Sequence, residues 1–352
     1  MSATISGSIS CALPNATHDR VVLGHGSGGK LSAALLKEHF LPHLHSHALR
    51  MLGDGAIVSA GRTQVVLSTD TFVVNPLEFP GGDIGVLAIN GTVNDIAMMG
   101  ATPAYLTAGF IIEEGLPMEV LDRIVGSMAR AATIAGIQVV AGDTKVVEHG
   151  KGDGLFINTT GLGLANSEFR PLPTSARAGD AVLVSGSIGV HGITILSARE
   201  GLDFQVDLAS DTACLYPLVE VLRRATDDHV ATLRDPTRGG VASTLNEIAT
   251  ASNVGVEIDE ASLPVPTGVS GACEMLGLDP LYVANEGIFV AFVPEHLADK
   301  AVEAMRGHPL GREARRIGTV VDDHRGLVVM RTGLGGTRVV DMLPGDQLPR
   351  IC

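Results

Sequence analysis

The sequence predicts a two-domain protein of the α+β class, in which both domains mix β-strands with α-helices. A length of 352 residues corresponds to about two domains. Segments with strand periodicity and segments with helical periodicity alternate along most of the chain. Between two such series, residues 166–180 (NSEFRPLPTSARAGD) are rich in turn-forming residues. We therefore place the domain boundary in that stretch.

The first half of the chain contains a regular alternation of elements. Apolar spacing predicts helices at 83–99 and 118–135, and strands at 64–70, 105–112, 137–141 and 155–164. Gly100 and Gly136 follow the two helices and are typical helix stops. Residues 41–165 are therefore expected to form the N-terminal domain. Residues 1–40 are expected to form an arm that ends in a Gly-rich segment.

A second series of strands and helices begins after the boundary. We expect helices near 191–200, 211–225, 239–251 and 294–306, and strands at 181–187 and near 230–234, 288–293, 314–321 and 327–331. This C-terminal domain covers residues 175–343. The last nine residues, 344–352 (PGDQLPRIC), contain two prolines and no periodicity. They are expected to form an exposed, flexible tail.

Composition and charge exclude several classes of protein. A net charge of −14 argues against a general nucleic-acid binder, which needs a basic face. The N-terminus lacks a basic stretch followed by an apolar one, so no signal peptide is expected. No apolar run approaches the roughly 18 residues that suggest a membrane span. Four cysteines, at 11, 214, 273 and 352, have no CxxC spacing. They are expected to be reduced thiols in the cytoplasm.

Four aspartates are expected where strands or helices end: Asp54 in GDGA, Asp70 in STDT, Asp95 in NDIAMMGA and Asp143 in AGDTK. Carboxylates at such ends can gather Mg²⁺ together with phosphate oxygens. Turn and cap chemistry is the alternative for each, since Asp favours both. Asp95 is harder to explain that way, because it lies on the apolar side of its helix and in the last turn, where the helix dipole disfavours an anion. It should have a compensating cation or hydrogen bonds.

Two Gly-containing segments could bind phosphate. HGSGGK (25–30) places Gly28 and Lys30 before a helix, although its spacing is not that of a Walker A loop. A flexible connector is equally consistent with it. DPTRGG (235–240) puts a cation beside a Gly pair that opens a helix, which suits an anion. A simple turn with a helix cap is the alternative.

Three further residues carry reactive groups. Lys145, one of only five lysines, is expected at a strand end, where it could contact a phosphate or act as a base. Glu286 precedes the strand GIFVAFV and could be a general base. Either could instead be an ordinary solvated charge. Cys352 ends a tail that can reach about 30 Å. Its alternative is an incidental exposed thiol.

A cluster of histidines at 39, 43, 45 and 47 (HFLPHLHSH) could also bind a metal. Closed metal sites usually combine histidine with cysteine or carboxylate ligands at tighter spacing. A solvated helix end is the more economical interpretation, and the choice stays open.

These segments together resemble the superfamily of aminoimidazole ribonucleotide synthetase, selenophosphate synthetase and thiamine-monophosphate kinase. The matching pieces, in order, are HGSGGK, GDGA, STDTF, NGTVNDIAMMGA, AGDTK, ARAGDAVLVSGSIGVHG, DPTRGG and NEGIFV, and they cover most of residues 24–330. Within that superfamily the chain resembles the hydrogenase-maturation carbamoyl dehydratases of the HypE family, because it ends in PRIC. The loop GVHG has Val190 where the pattern expects Asp, so no charge role is expected there.

The resemblance implies a PurM-like two-domain fold. Its N-terminal domain is ferredoxin-like, binds ATP and pairs its sheet with a second copy to give a homodimer. A C-terminal α+β domain packs beside it, with ATP in the cleft. The implied reaction starts when the carbamoyltransferase HypF loads a carbamoyl group onto Cys352 as a thiocarbamate. ATP-dependent dehydration then gives a thiocyanate, and the HypC–HypD complex receives the cyano group as a ligand of the [NiFe]-hydrogenase iron.

The resemblance also implies roles for individual residues. Asp54, Asp70, Asp95 and Asp143 look like the carboxylates that hold Mg²⁺ and nucleotide. Lys145 and Glu286 look like the residues of the dehydration step, with Cys352 as the covalent carrier. The other expected nucleotide contacts are Gly28, Lys30, Asn94, Thr144, Thr237, Arg238 and Gly239.

Two other functions remain open at this point. A small-molecule kinase or selenophosphate synthetase of the same superfamily would keep its turnover after loss of the tail, although Cys11 does not lie in the setting expected of the latter. A non-enzymatic thiol carrier or scaffold would not hydrolyse ATP at all.

Overall fold

The computed structural model describes residues 20–26, 28–44, 46–202, 208–343, 345, 348 and 350–352. Expectations for residues 1–19, which include Cys11, and for Ser27, His45, Pro344 and Pro349 lie outside the described residues. No helix among those described is long and apolar enough to cross a membrane.

The N-terminal domain is a five-stranded sheet in the order β1-β2-β7-β5-β6, with helices packed on one face. Its elements are α1 (Lys30–Leu35), β1 (Ala56–Ala60), β2 (Thr63–Phe72), β3 (Glu78–Phe79), β4 (Gly82–Asp83), α2 (Ile84–Met98), β5 (Ala101–Glu113), α3 (Met118–Ala135), β6 (Gln138–Val147) and β7 (Leu155–Ala165).

Helix α2 forms the centre of this domain and is buried along almost its whole length. It begins at Ile84 because the Asp83 carboxylate accepts hydrogen bonds from the first free N–H groups, those of Gly85 and Val86. Its close approach to β7 requires Gly163, where an added Cβ would lie 2.3 Å from Ile96 Cγ2. The packing places the last turn of α2 beside the strands that contribute to the candidate site.

The C-terminal domain has a seven-stranded sheet in the order β14-β13-β10-β12-β8-β11-β9, with helices on both faces. Its elements are β8 (Asp180–Val184), α4 (Val190–Glu200), α5 (Tyr216–Ala225), β9 (Thr232–Arg234), α6 (Gly240–Ser252), β10 (Gly255–Asp259), α7 (Thr267–Leu276), β11 (Val290–Pro294), α8 (Ala298–Arg306), β12 (Arg315–Val321), β13 (Val328–Arg331) and β14 (Thr337–Val340). Side chains of β8 alternate between two apolar clusters: Val182 and Val184 pack with α6, and Ala181 and Leu183 pack with α5 and α8.

The predicted elements are present, with some differences in their ends. The helix predicted at 118–135 has those bounds in α3, and the helix predicted at 83–99 is α2. The helices expected near 211–225 and 294–306 begin only at Tyr216 and Ala298. Strands β1, β3, β4, β10 and β14 and helix α7 were not predicted.

The expectation that all four aspartates lie at element ends is wrong for Asp70 and Asp143, and the same correction applies to Lys145. Strand β2 continues to Phe72 and β6 continues to Val147, so these residues lie within strands. Thr and Val after each aspartate favour extended backbone, and no Gly or Pro stops either strand there.

The expectation of an exposed tail is wrong for its last two residues. Ile351 packs into an apolar cluster that contains Phe72 and Val74 of the N-terminal domain and Ile195 of the C-terminal domain, and Cys352 is buried beside it. The described residues of the tail form no helix or strand, but an apolar pocket in the body of the protein accepts its end.

Candidate active site

Three carboxylates from separate elements meet between the two domains. Asp54 precedes β1, Asp95 lies in the last turn of α2, and Asp235 follows β9. Each offers an oxygen, and the three oxygens lie within 4.8 Å of one another. Asp235, the first residue of the DPTRGG motif, was not expected to have a role. Its position after a short strand was the available signal.

Burial and mutual repulsion make this cluster costly to ionise. Burial, followed by the charges of Asp235 and Asp54, raises the pKa of Asp95 well above its ordinary value. Burial raises the pKa of Asp235 to about 8, with a further contribution from Asp54. Burial also raises the pKa of Asp54 to about 6, despite the Arg234 guanidinium.

The surrounding hydrogen bonds only partly compensate the cluster. Ser68 Oγ donates to Asp95 Oδ2 at 2.6 Å, and Arg234 Nε lies 2.9 Å from Asp54 Oδ1. Arg234 also pairs with Glu247 at 3.0 Å, so its charge is shared. Three converging carboxylates with so little positive charge form a donor set of the kind that a divalent cation prefers. The residues therefore fit Mg²⁺.

The terminal thiol lies buried in the same region. Cys352 is 8% exposed, and its carbonyl oxygen accepts a hydrogen bond from Val73 N at 3.0 Å. Burial raises the pKa of the thiol. The negative charge of Glu286 nearby raises that pKa further, against the opposing charge of Arg238. In this position the sulfur is therefore held as the neutral thiol.

Glu286 is the carboxyl group next to the thiol, and it is 4% exposed. Its backbone N–H donates to Asp211 Oδ1 at 3.1 Å, which fixes the loop before β11. Burial, followed by the charges of Asp235 and Asp70, raises its pKa well above the ordinary value. Its Oε1 atom is buried and has no hydrogen-bond partner within the described part of the chain. That oxygen is available to a bound substrate.

Arg238 connects the Gly-rich segment to the site. Its Nη2 lies 4.0 Å from Asp70 Oδ1, and its Nη1 donates to Gly26 O at 3.0 Å. Gly28 has a φ of +77°, and an added Cβ would lie 2.8 Å from Arg238 O, so glycine is required there. The segment is also tied to the start of the tail, since Lys30 N donates to Leu343 O at 2.9 Å.

The other residues expected to contact the nucleotide in this region already have partners within the protein or lie at the edge of the cleft. Lys30 Nζ pairs with Asp341 at 2.6 Å. Gly239 lines the cleft that also contains Arg238 and Cys352. Thr237 lies just before Arg238 and Gly239 in the loop that follows β9. Asn94 is buried, and its side chain donates to Ala213 O at 3.0 Å and accepts from Leu215 N at 2.8 Å. It braces the loop that leads into α5, and its expected nucleotide contact stays a prediction.

Asp143, Thr144 and Lys145 lie on the edge strand β6. Lys145 Nζ is 2.5 Å from Asp143 Oδ2, and both side chains are largely exposed, at 68% and 73%. Asp70 pairs with Thr159, which lies in register with Ala108 and Gly142. Asp143 is therefore about 14 Å from Asp70, three strand spacings across the sheet. Within one chain, the structure does not bring these residues to the carboxylate cluster.

The histidine segment is only partly described. His39 and His43 are exposed, as is His47. His45 lies outside the described residues, so a metal site formed by these four histidines stays an untested alternative.

Family comparisons match both domains. The family described as "AIR synthase related protein, N-terminal domain" matches residues 52–165, and "AIR synthase related protein, C-terminal domain" matches residues 177–331. These matches, with the observed sheets and helices, confirm the PurM-like two-domain fold.

Several proteins of known sequence are similar over nearly their full length. Carbamoyl dehydratase HypE of Cupriavidus necator is 54% identical over 339 residues, covering 96% of this chain and 96% of that protein. Carbamoyl dehydratase HypE of Escherichia coli is 46% identical over 340 residues, covering 95% of this chain and all of that protein.

Solved structures agree with this relationship. HypE in a HypE–HypF complex superposes with a TM-score of 0.84 at 47% identity, covering 88% of this chain and 100% of that chain. HypE in complex with ATP gives a TM-score of 0.79 at 48% identity, covering 95% of this chain and 100% of that chain. A thiamine-monophosphate kinase shares only the fold, at 18% identity and a TM-score of 0.62 over 89% of this chain and 99% of that chain. By its identity to these relatives over nearly their full length and its matches to both domain families, the chain belongs to the carbamoyl dehydratase HypE family.

Proposed function

We propose that the chain uses ATP to dehydrate a carbamoyl group carried on Cys352, converting the thiocarbamate to a thiocyanate. The observation that carries this proposal is the position of the last residue. Its thiol lies in a buried cleft beside Glu286 and Arg238. Glu286 in turn feels the charge of Asp235, which is one of the three carboxylates suited to a metal. A solved HypE relative is in complex with ATP. The product supplies the cyanide ligand of [NiFe]-hydrogenase.

The chemistry requires activation of an amide oxygen, which is a poor leaving group. Transfer of the γ-phosphoryl group of ATP to the carbamoyl oxygen releases ADP and turns that oxygen into part of a phosphate. Loss of both N–H protons and of the phosphate then gives the C≡N bond, while the bond between sulfur and carbon stays intact. The thiocarbamate thereby loses the elements of one water, whose oxygen leaves in the phosphate, and the products are the thiocyanate, ADP, phosphate and a proton.

Glu286 is the residue best placed to remove protons from the nitrogen. It lies close enough to the sulfur to raise the pKa of the thiol, and its free Oε1 faces no competing donor in the described residues. Its raised pKa makes its ionised form a stronger base than an exposed carboxylate. For Lys145, resemblance alone supports a part in the same step. Its ion pair with Asp143 on β6 means that a second chain or a movement must bring it to the thiol.

Mg²⁺ would be held by Asp54, Asp95 and Asp235, with Asp70 beside them. Bound there, it would neutralise the phosphate oxygens of the nucleotide. Arg238 and the Gly28–Lys30 segment lie where they can add cationic and backbone N–H contacts, with Thr237 and Gly239 in the adjoining loop. Resemblance alone extends the set to Asn94, Asp143 and Thr144.

Two partner proteins and a location complete the proposal. A solved structure contains HypE with HypF, so a HypF-type carbamoyltransferase would load Cys352. Loading needs the thiolate, which the seated position disfavours, so the tail would leave its cleft for this step. The HypC–HypD complex would accept the cyano group. Cys214, Cys273 and Cys352 are free thiols, in keeping with a cytoplasmic location.

The first prediction concerns the reaction itself. Carbamoylated protein incubated with ATP should lose the mass of one water from its C-terminal peptide, as measured by mass spectrometry. Glu286→Gln should carry the carbamoyl group but convert it roughly 100-fold more slowly, because a general base is lost. The exposed Glu303 provides a matched control, since Glu303→Gln should react normally.

Other results would contradict this function. A carbamoyl mass on Cys214 or Cys273 would remove Cys352 as the carrier. ATP turnover that survives deletion of the tail would favour a small-molecule kinase or selenophosphate synthetase. Absence of ATP hydrolysis would favour a carrier or scaffold.

The second prediction concerns pH and Mg²⁺. The folded pKa values of Asp54 and Asp235, about 6 and about 8, exceed the ordinary 3.8. Between pH 4 and 8 these two groups therefore bind fewer protons in the unfolded state than in the folded state. Their contribution to the free energy of unfolding falls as pH rises through that window. Protons and Mg²⁺ compete, so the rise in Tm caused by Mg²⁺ should be larger at pH 8 than at pH 6.

Calorimetry of matched variants tests this account. Asp235→Asn should flatten the pH dependence of Tm. It should also reduce the stabilisation by Mg²⁺, which for wild type should be about 2.7 kcal/mol in the free energy of unfolding when the Mg²⁺ concentration is 100 times Kd. Asp299→Asn, at an exposed position, should change neither. Equal Mg²⁺ effects in wild type and Asp235→Asn would remove Asp235 from the metal site.

The third prediction concerns a homodimer formed through the N-terminal sheet. Val140 and Val146 are exposed apolar residues on β6, a strand that a second sheet would cover. Light scattering should give about twice the chain mass of 36.4 kDa. Val140→Asp combined with Val146→Asp should give monomers, whereas Val339→Asp on β14 should leave the dimer intact. A wild-type chain that is active and monomeric at every concentration would refute the dimer.

A further inference from the structure

The last three carbonyl groups of the chain all accept hydrogen bonds from the body of the protein. The Ile351 carbonyl accepts from His191 Nε2 at 2.9 Å, and the Cys352 carbonyl accepts from Val73 N at 3.0 Å. The Arg350 carbonyl accepts from Arg199 Nη2 at 2.5 Å and, at a longer 3.4 Å, from Asn75 N. The chain end is therefore held along its backbone, whatever group its sulfur carries.

His191 is a dedicated donor to the Ile351 carbonyl. A carbonyl only accepts, so the shared proton must lie on Nε2 of the imidazole. Ser210 Oγ lies 2.7 Å from Nδ1 and donates to it, while accepting from Thr212 N at 3.2 Å. The ring is 0% exposed, and burial lowers its pKa to about 4, which keeps it neutral. Its environment thus fixes the tautomer that the tail needs.

Arg199 holds the neighbouring carbonyl and joins the tail to the N-terminal domain. Its Nε donates to Asn75 O at 2.8 Å, while Nη2 donates to Arg350 O. Arg350 has a φ of +55°, a conformation that non-glycine residues adopt only when their surroundings impose it. The bonds from Arg199, together with an ion pair between Arg350 and Asp153, supply that constraint.

We propose that His191 and Arg199, both on α4, form a latch that seats the chain end and thereby positions the Cys352 thiol against Glu286. They are positioning residues, since they act through the tail backbone and do not touch the sulfur. Hydrogen bonds of this kind are individually weak, so the latch can open when the thiol has to leave the cleft. The seating is independent of the proposed function, whereas its effect on dehydration rests on that function.

The latch is tested by alkylating the full-length protein with iodoacetamide and following each cysteine peptide by mass spectrometry. His191→Leu and Arg199→Met should each raise the alkylation rate of Cys352 by roughly 10-fold, because a donor to the tail is lost. Cys214 and Cys273 are buried free thiols in the same chain and report any general loss of structure. Their rates should not change. His191→Gln, which keeps an N–H donor at the end of its side chain, should restore most of the protection.

Single-turnover dehydration of the carbamoylated protein provides the second readout. The two latch variants should convert the group about 10-fold more slowly with an unchanged KM for ATP, and His191→Gln should recover. An unchanged Cys352 alkylation rate in a variant that still buries Cys214 and Cys273 would overturn the latch. If His191→Leu unfolds and exposes all three thiols, Arg199→Met decides by the same criterion.

The two proposals can fail separately. Selective exposure of Cys352 without slower dehydration would overturn the positioning role. If wild-type protein forms no thiocyanate, the proposed function fails, while the alkylation result still decides whether the latch exists.

Discussion

Burial of the chain end is the constraint on which the site depends. Ile351 fills an apolar pocket in the N-terminal core, and Val73 N binds the Cys352 carbonyl. The tail leaves the C-terminal domain near Leu343, where Lys30 N holds it, and ends beside the segment that follows β2. The tail therefore reaches this position only when the Gly-rich segment and both domains are folded. A mobile carrier can reach this geometry only by docking its backbone, because the sulfur must stay free to carry a group.

Electrostatics explains why the same cleft suits a metal nucleotide in a chain of net charge −14. Asp54 and Asp235 lie close enough to Asp95 to raise its pKa further after burial, and Arg234 shares its charge with Glu247. Burial and these charges favour the protonated carboxyl groups, and the proposed Mg²⁺ would replace those protons with a stronger compensating charge. With that metal bound as proposed, an anionic nucleotide would meet cationic charge there and at Arg238, although the protein as a whole is acidic.

Much of the N-terminal domain is predictable from the sequence, because local signals and tertiary packing agree there. Apolar periodicity and a following glycine define α3, and Asp83 caps α2. The catalytic assignments depended on resemblance, and the structure adds contacts that local patterns do not encode. Asp235 was missed because its motif was interpreted for anion binding. The side chain of Asn94 braces a loop, and the burial of Ile351 depends on a pocket built from residues distant in sequence. No pattern within PGDQLPRIC could show that pocket.

The most direct test of a seated chain end is a protein extended by one alanine after Cys352. Cys352 is 8% exposed and its carbonyl is already bonded to Val73 N, so an added residue has to displace the end from its pocket. We expect the extended protein to bind ATP as wild type does, since the carboxylate cluster is unchanged. Its single-turnover dehydration, measured on the carbamoylated C-terminal peptide, should fall by at least about 10-fold. Dehydration at the wild-type rate would contradict the account, because the thiol would then react without the seat that the structure shows.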